Sequence, residues 1–384
     1  MILRAYRVPR CASTIAYDTA GVTPNHSPCD QPLVTDASLP IIPPYMLDWL
    51  RLIRASGLAT IASNSLAAIL TAFYAGEGDR IVWLALRLKH NGAQTLWVLL
   101  ASFLLYAAGM LWNDLIDVDR DRSGNPKRPL PSGRIGLVPA WIVGVLTMCG
   151  AMFAASHVDY GFFLAGVVLM LALLYNLAAK SWPWLGSVVM GLVRASHACF
   201  ALLLLGPDYV QMILTPASAP IAGAIASGTT YAPFVYPVIL GIYIFGLTLV
   251  SEHEERQRRG SRFGFIVGGA AMAFAILAAL GGLAGADWLP HLLHAGGPWP
   301  LLALLAVCFA LGCAGWLCWR LFSAWLEALR SARCELVGRV VVAGLGGMIL
   351  LDAIVATAAH PLGGLLCAAF YPLFFIAGKF MRMN

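Results

Sequence analysis

The chain has 384 residues, of which 60% are hydrophobic and only 11% charged, with 38 glycines and a net charge of +6. That balance lies far outside the range of water-soluble domains of this length and excludes one of those. Its nine cysteines are scattered, most of them in apolar runs, without a CxxC pair; they read as buried reduced thiols rather than a disulfide or metal framework.

Residues 1–45 differ in composition from the rest of the chain. Arg4, Arg7 and Arg10 precede a Pro/Ser/Thr/Asp-rich stretch ending Ile41-Ile42-Pro43-Pro44. No apolar core comes after the arginines, so this is not a secretory signal; a disordered tail is expected. Met46, ahead of the first amphipathic segment, is a candidate translation start. Residues 46–384 read as a single membrane domain. Ten spans are predicted, at about 47–74, 94–112, 137–156, 159–178, 183–205, 233–251, 264–285, 299–320, 336–358 and 361–381. The last is the least defined, because His360-Pro361 also fits a kink or a re-entrant turn. The fold class is therefore all-α, a polytopic transmembrane bundle of nine to ten spans. Asp79 to His90 is short, basic and amphipathic, and is expected to lie in the membrane interface.

Lys and Arg are distributed unevenly between the two sets of loops. One set holds Arg120, Arg122, Lys127, Arg128, Arg134, Lys180, Arg256, Arg258, Arg259, Arg262, Arg320, Arg330, Arg333 and Arg339, and both termini are basic as well. The other holds Arg80, Arg87 and Lys89. By the positive-inside rule the first set faces the cytoplasm, in the cell (inner) membrane. A membrane-lipid environment and no nucleic-acid partner are expected.

Chemistry concentrates where the second span ends, at Asn113-Asp114-Leu115-Ile116-Asp117-Val118-Asp119-Arg120-Asp121. At 100° per residue Asn113, Asp114, Asp117 and Asp121 fall within about 100° of arc, and Asp119 points away. Carboxylates on one stripe repel one another and are costly to desolvate unless cations neutralise them. Oxygen-only ligands at a polar mouth suit Mg²⁺, which keeps waters and shares substrate phosphates. The next segment, Asn125-Pro126-Lys127-Arg128-Pro129-Leu130-Pro131-Ser132-Gly133-Arg134-Ile135, is a stiff loop studded with cations. Acid and base on one membrane face would together hold a multiply charged anion bridged to Mg²⁺: carboxylates on the metal, Lys127, Arg128 and Arg134 on phosphate oxygens.

This segment resembles the first signature of the UbiA superfamily of intramembrane prenyltransferases, NDxxDxxxD on the second helix followed by a basic loop with a P-S-G turn. Asn113, Asp114, Asp117 and Asp121 occupy its four positions. The resemblance implies Asp114, Asp117 and Asp121 as metal ligands, Asp114 and Asp117 as catalytic groups, and Asn113 as a substrate contact. Tyr175 to Lys180 resembles the family's tyrosine–lysine element, with Tyr175 binding substrate and Lys180 acting on the diphosphate, although a snorkelling anchor also fits Lys180. Arg54 lies early in the first span, where the family places a cavity-facing arginine, and Asn64 is a weaker polar candidate. Arg194 and His197, polar and three apart within the fifth span, are expected to face the bundle interior.

The second acidic site departs from the family. A DxxD-type motif belongs at the end of the sixth span, where this chain reads Thr248-Leu249-Val250-Ser251-Glu252-His253-Glu254-Glu255-Arg256. Matching SxxEE to DxxDD points to Glu254 and Glu255 as metal ligands with Arg256 on the substrate. Helical geometry instead groups Thr248, Glu252 and Glu255, which leaves Glu252 as an alternative. In this respect the chain resembles a divergent UbiA-like branch encoded with ebo-type bacterial clusters. The implied activity is Mg²⁺-dependent transfer of an isoprenyl group from a polyprenyl diphosphate to an aromatic or other lipophilic acceptor. The alternatives are a non-catalytic isoprenoid-lipid carrier on the same fold and a secondary transporter. Polar sites at one face and the lack of an evident inverted repeat argue against the transporter.

Overall fold

The computed structural model describes residues 43–74, 92–205, 232–255, 262–286, 288–294, 297–331 and 334–382. The stretch to residue 42, expected to be a disordered tail, the segment 79–90 expected at the interface, and residues 206–231 lie outside these described residues. Every regular element among the described residues is helical, with no strand. Among the described residues nine helices are long and apolar enough to cross a membrane, and a tenth if one bent pair counts as a single span. The chain is an integral membrane protein of the all-α polytopic class.

In chain order the helices are α1 (Pro44–Leu52), α2 (Ser56–Tyr74), α3 (Gly92–Ile116), α4 (Val118–Gly124), α5 (Leu137–Ala155), α6 (Gly161–Leu177) and α7 (Pro183–Ala198). They continue with α8 (Ala232–Glu255), α9 (Arg262–Ala284), α10 (Trp288–His294), α11 (Trp299–Ser331), α12 (Cys334–Ala359), α13 (Gly363–Ala368) and α14 (Phe370–Arg382). Short 3₁₀ turns come after α6 and α7, at Ala179–Ser181 and Cys199–Leu205. A turn at His360–Leu362 separates α12 from the last span, which runs Gly363–Phe380.

The first span is not the continuous helix expected over 47–74. It bends by 46° between α1 and α2. The break centres on Arg54, whose φ of 49° is left-handed and rare for a residue with a side chain. Such a residue costs about 1–3 kcal/mol unless its surroundings hold it. Here its carbonyl oxygen accepts bonds from the Gly57 amide at 2.7 Å and the Tyr106 hydroxyl at 3.2 Å. Gly57 is required at this contact, because a Cβ there would lie 1.8 Å from the Tyr106 hydroxyl oxygen.

Helix packing relies on small residues, as it must where lipid supplies no hydrophobic drive between helices. A Cβ on Gly191 of α7 would meet the Gly241 carbonyl oxygen of α8 at 2.7 Å, and one on Gly246 of α8 would meet that of Gly268 on α9 at 2.5 Å. The helix α12 runs through the centre, with 78% of its span buried. Large apolar side chains such as Leu96, Phe163, Leu277 and Leu301 are exposed on the outside. That is the reverse of a soluble protein and the arrangement a hydrocarbon solvent favours.

Candidate active site

The helix α3 ends at Ile116, and a single turn residue, Asp117, links it to α4. The amide of Asp117 donates to the Asn113 carbonyl at 3.0 Å and that of Asp121 to the Asp117 carbonyl at 2.8 Å. The spiral therefore continues through the turn, and the acidic stripe keeps its register. Asp119 points the other way: its side chain is 85% exposed and pairs with Arg122 at 2.6 Å.

Each carboxylate of the stripe meets a cation from a different part of the chain. Asp114 faces Arg54 from the α1–α2 break at 3.5 Å and accepts from the Asn113 amide at 3.2 Å. Asp117 accepts from Nζ of Lys180, in the 3₁₀ turn after α6, at 2.6 Å. Asp121 accepts from Arg128, in the basic loop, at 2.5 Å and from Asn125 at 3.3 Å. These pairs offset the repulsion along the stripe and the cost of desolvating it, several kcal/mol per buried ion.

Asn113, Asp117 and Asp121 of the stripe line one end of a cavity of about 840 Å³, and Asp114 meets it only through its partner Arg54. Asn113, Asp117, Asp121, Arg54, Arg128 and Lys180 surround this mouth, joined by Arg120, Tyr175, Asn176, Ser251 and Glu252. Behind them the wall turns apolar with Gly109, Met110, Val168, Ala172, Met190 and Val193. Tyr106, Arg194 and His197 line it further along the same helices, so the fifth-span pair faces the interior as expected.

Four expected site residues do not line this cavity: Asp114, which is buried and pairs with Arg54, and Asn64, Arg134 and Lys127. Asn64 donates instead to Asp352 of α12 at 2.8 Å and to the Tyr236 hydroxyl at 3.2 Å, inside a fully buried cluster. Arg134 reaches back to Asp48 of α1 at 2.8 Å and to the Lys127 carbonyl at 3.0 Å. Lys127 is exposed and does not line the cavity. The loop that carries these residues is folded: Leu130 and Ile135 are buried, and Gly133 turns it with a φ of 76°. At the second motif Ser251 and Glu252 line the mouth. The side chains of Glu254 and Glu255, and all of Arg256, lie outside the described residues.

Sequence reasoning missed Asp352, Tyr106 and Asp48. A lone acid in an apolar 26-residue helix was the available signal for Asp352. Tyr106 gave none, because an aromatic residue in an apolar run reads as packing.

Among the described residues no three Asp, Glu, His or Cys side chains are grouped so as to hold a metal ion by themselves. The donor chemistry nevertheless fits Mg²⁺. Asp117, Asp121 and the Asn113 amide offer only hard oxygens at the mouth, and a phosphate-bridged Mg²⁺ takes few protein ligands.

The fold and the stripe define a membrane-embedded helical bundle with cation-paired carboxylates at one end of an internal cavity. The family model for the UbiA prenyltransferase family matches residues 65–332, and the chain belongs to that family. Among curated relatives it is similar to a digeranylgeranylglyceryl phosphate synthase of Sulfolobus acidocaldarius, 27% identical over 157 residues, covering 40% of this chain and 47% of the relative. Another from Methanococcoides burtonii is 26% identical over 174 residues, covering 44% of this chain and 59% of the relative. It also resembles polyprenyl transferase ausN of Emericella nidulans, 42% identical over 84 residues, covering 21% of this chain and 24% of the relative. The chain thus spans about half the length of the first two relatives. Among solved structures, a UbiA homologue from Aeropyrum pernix K1 superposes with a TM-score of 0.49 at 19% identity, covering 77% of this chain and 96% of that one.

Proposed function

We propose that this protein transfers an isoprenyl group from a polyprenyl diphosphate to an aromatic or other lipophilic acceptor, in a Mg²⁺-dependent reaction within the membrane. The observation that carries the reading is the set of three carboxylate–cation pairs at the mouth of a cavity whose inner wall is apolar. Membership of the family and the names of its curated relatives agree with it.

The pairs make sense as a resting arrangement. A magnesium diphosphate brings both signs of charge, so the two halves of each pair exchange partners. Asp114, Asp117 and Asp121, with Asn113, are the residues that would hold Mg²⁺, and Glu252 is the acid of the second motif that faces the cavity. Glu254 and Glu255 stay as further candidates. Bound there, the metal supplies Lewis-acid stabilisation of charge on the leaving diphosphate. Lys180 and Arg128, released from their carboxylates, bind the phosphate oxygens, Arg128 in a two-pronged fashion. Arg54 and Tyr175 complete the rim. As the bond between C1 and the diphosphate oxygen breaks, Lys180 and Arg128 stabilise the charge on the departing group. The apolar wall behind them keeps water from the electron-poor C1 until the acceptor attacks it and releases a proton. By the positive-inside rule, the basic residues gathered at the mouth support a cytoplasmic orientation of that face, in the cell membrane.

The test is diphosphate release by the detergent-purified protein, offered isoprenyl diphosphates with Mg²⁺ or with EDTA, beside Asp117→Asn and Glu252→Gln. Release that needs Mg²⁺ and falls in both variants is the expected result. Tight Mg²⁺-dependent binding with no release, across a panel of acceptors, would favour a carrier. Neither binding nor release would sink the reading.

A further inference from the structure

The inner end of the cavity is not purely apolar: beside Leu105 and Val168, it is lined by Tyr106, Arg194 and His197. Arg194 and His197 lie about one turn apart on α7, and both line it. Tyr106 is eleven residues before Asp117 on α3, and Arg194 is eleven residues into α7 from Pro183. At about 1.5 Å per residue both helices put this end about 16 Å in from the mouth. The agreement is independent of either helix alone, because the Arg194 guanidinium sits over the Tyr106 ring, 5.5 Å from its centroid. His197 is tied across the same gap, its Nε2 donating to the Ser102 carbonyl at 3.0 Å.

Arg194 is a poor neighbour for hydrocarbon. Its guanidinium is permanently charged, and its Nη1 is buried with no hydrogen-bond partner in the protein. An isoprenyl methyl pressed against it would strip away remaining polar contact and offer no acceptor in return. Nor can the residue readily move aside. The face of Tyr106 holds its charge, and α7 is pressed onto α8 at Gly191 and Gly241 with no room for a Cβ.

We propose that Arg194, backed by His197, is a polar floor that sets the length of isoprenyl tail the cavity accepts. The inference rests on the isoprenyl-diphosphate reading above. An isoprene repeat is four carbon–carbon bonds of about 1.5 Å, advancing about 5 Å when extended. A depth of about 16 Å therefore holds about three units, a farnesyl chain, and a fourth unit would have to cover the guanidinium. Gly109 offers a second handle. It lines the same wall eight residues from Asp117, about 12 Å in, and nothing lies within 4 Å of where its Cβ would stand.

The experiment uses the full-length protein in detergent with Mg²⁺ and geranyl, farnesyl and geranylgeranyl diphosphates, comparing kcat/KM for diphosphate release. Wild type is expected to favour farnesyl over geranylgeranyl by about tenfold or more. Arg194→Met should raise the geranylgeranyl-to-farnesyl ratio at least about tenfold, whereas Arg194→Lys, which keeps a charge at the floor, should leave it within about twofold of wild type. Gly109→Phe should shift preference to geranyl, and it carries the test if Arg194→Met fails to insert. A wild type that uses geranylgeranyl as well as farnesyl, an unchanged ratio in Arg194→Met, or a Gly109→Phe with wild-type length preference would each overturn the floor while leaving prenyl transfer intact. Failure of wild type to bind or release all three diphosphates would remove the parent reading, and this one with it.

Discussion

Two buried aspartate sites in this bundle use the same side chain to opposite ends. At the mouth, Asp114, Asp117 and Asp121 are each held by a cation on a long side chain, Arg54, Lys180 or Arg128, arriving from an irregular segment. In the centre, Asp352 accepts its hydrogen bonds from neutral donors on helices, the Tyr236 hydroxyl at 2.8 Å and the Asn64 amide at 2.8 Å, with the Arg194 charge nearby but not bonded to it. The first kind of contact can be exchanged, since a metal can replace the cation and a phosphate can replace the carboxylate. The second cannot, because Tyr and Asn on packed helices have nowhere else to point. An intramembrane carboxylate is thus read as binding or structural from what holds it rather than from its presence alone.

Asp117→Asn tests this contrast most severely. It should lower diphosphate release by about 10²–10³-fold, the usual cost of removing one electrostatic contact to a reacting group, while the protein inserts as before. Wild-type turnover in this variant would mean the stripe is not the site. Lys180→Met should cost release about 10²-fold. If the pair is exchangeable, it should also lower the Mg²⁺ concentration that half-saturates diphosphate binding, because Asp117 has lost its resident cation. A rise in that concentration would contradict partner exchange.

Asp352→Leu should behave differently, stranding two buried donors and lowering the unfolding free energy by about 1–3 kcal/mol. Denaturation in detergent would show this, with release per folded molecule little changed. A selective loss of turnover at constant stability would move Asp352 into the functional class. Arg134→Ala should cost no more than about 1 kcal/mol of stability, as its pair with Asp48 is partly exposed, and should raise KM a few-fold by loosening the loop that presents Arg128. Asp119→Asn should change nothing measurable, since its partner Arg122 is itself on the surface.

Much of this was open to inspection in the chain itself. Apolar runs of bilayer length dictate helices, because an unsatisfied backbone in hydrocarbon is prohibitive. The 100° period alone aligns Asn113, Asp114, Asp117 and Asp121 and turns Asp119 away. Arg128 was singled out because acid and base near one membrane face imply one charged ligand, and Lys180 because its segment resembles the family's tyrosine–lysine element. Asn64, a polar residue within the first span, and Arg134, a cation of the basic loop, are both placed away from the cavity. Which of two nearby partners such a residue takes depends on helices remote in sequence. Asp352 lies 288 residues from Asn64, and Asp48 lies 86 residues before Arg134.

Local periodicity and composition were therefore enough for the class of fold, the acidic stripe and the basic loop beside it, none of which needs knowledge of neighbours. Packing was needed to reveal that the first span breaks at Arg54, that each carboxylate has its own cation, and that Arg194 meets Tyr106 at the cavity wall. Those are properties of contacts between distant segments. In a bundle whose exterior is lipid, helix packing alone settles which polar groups meet.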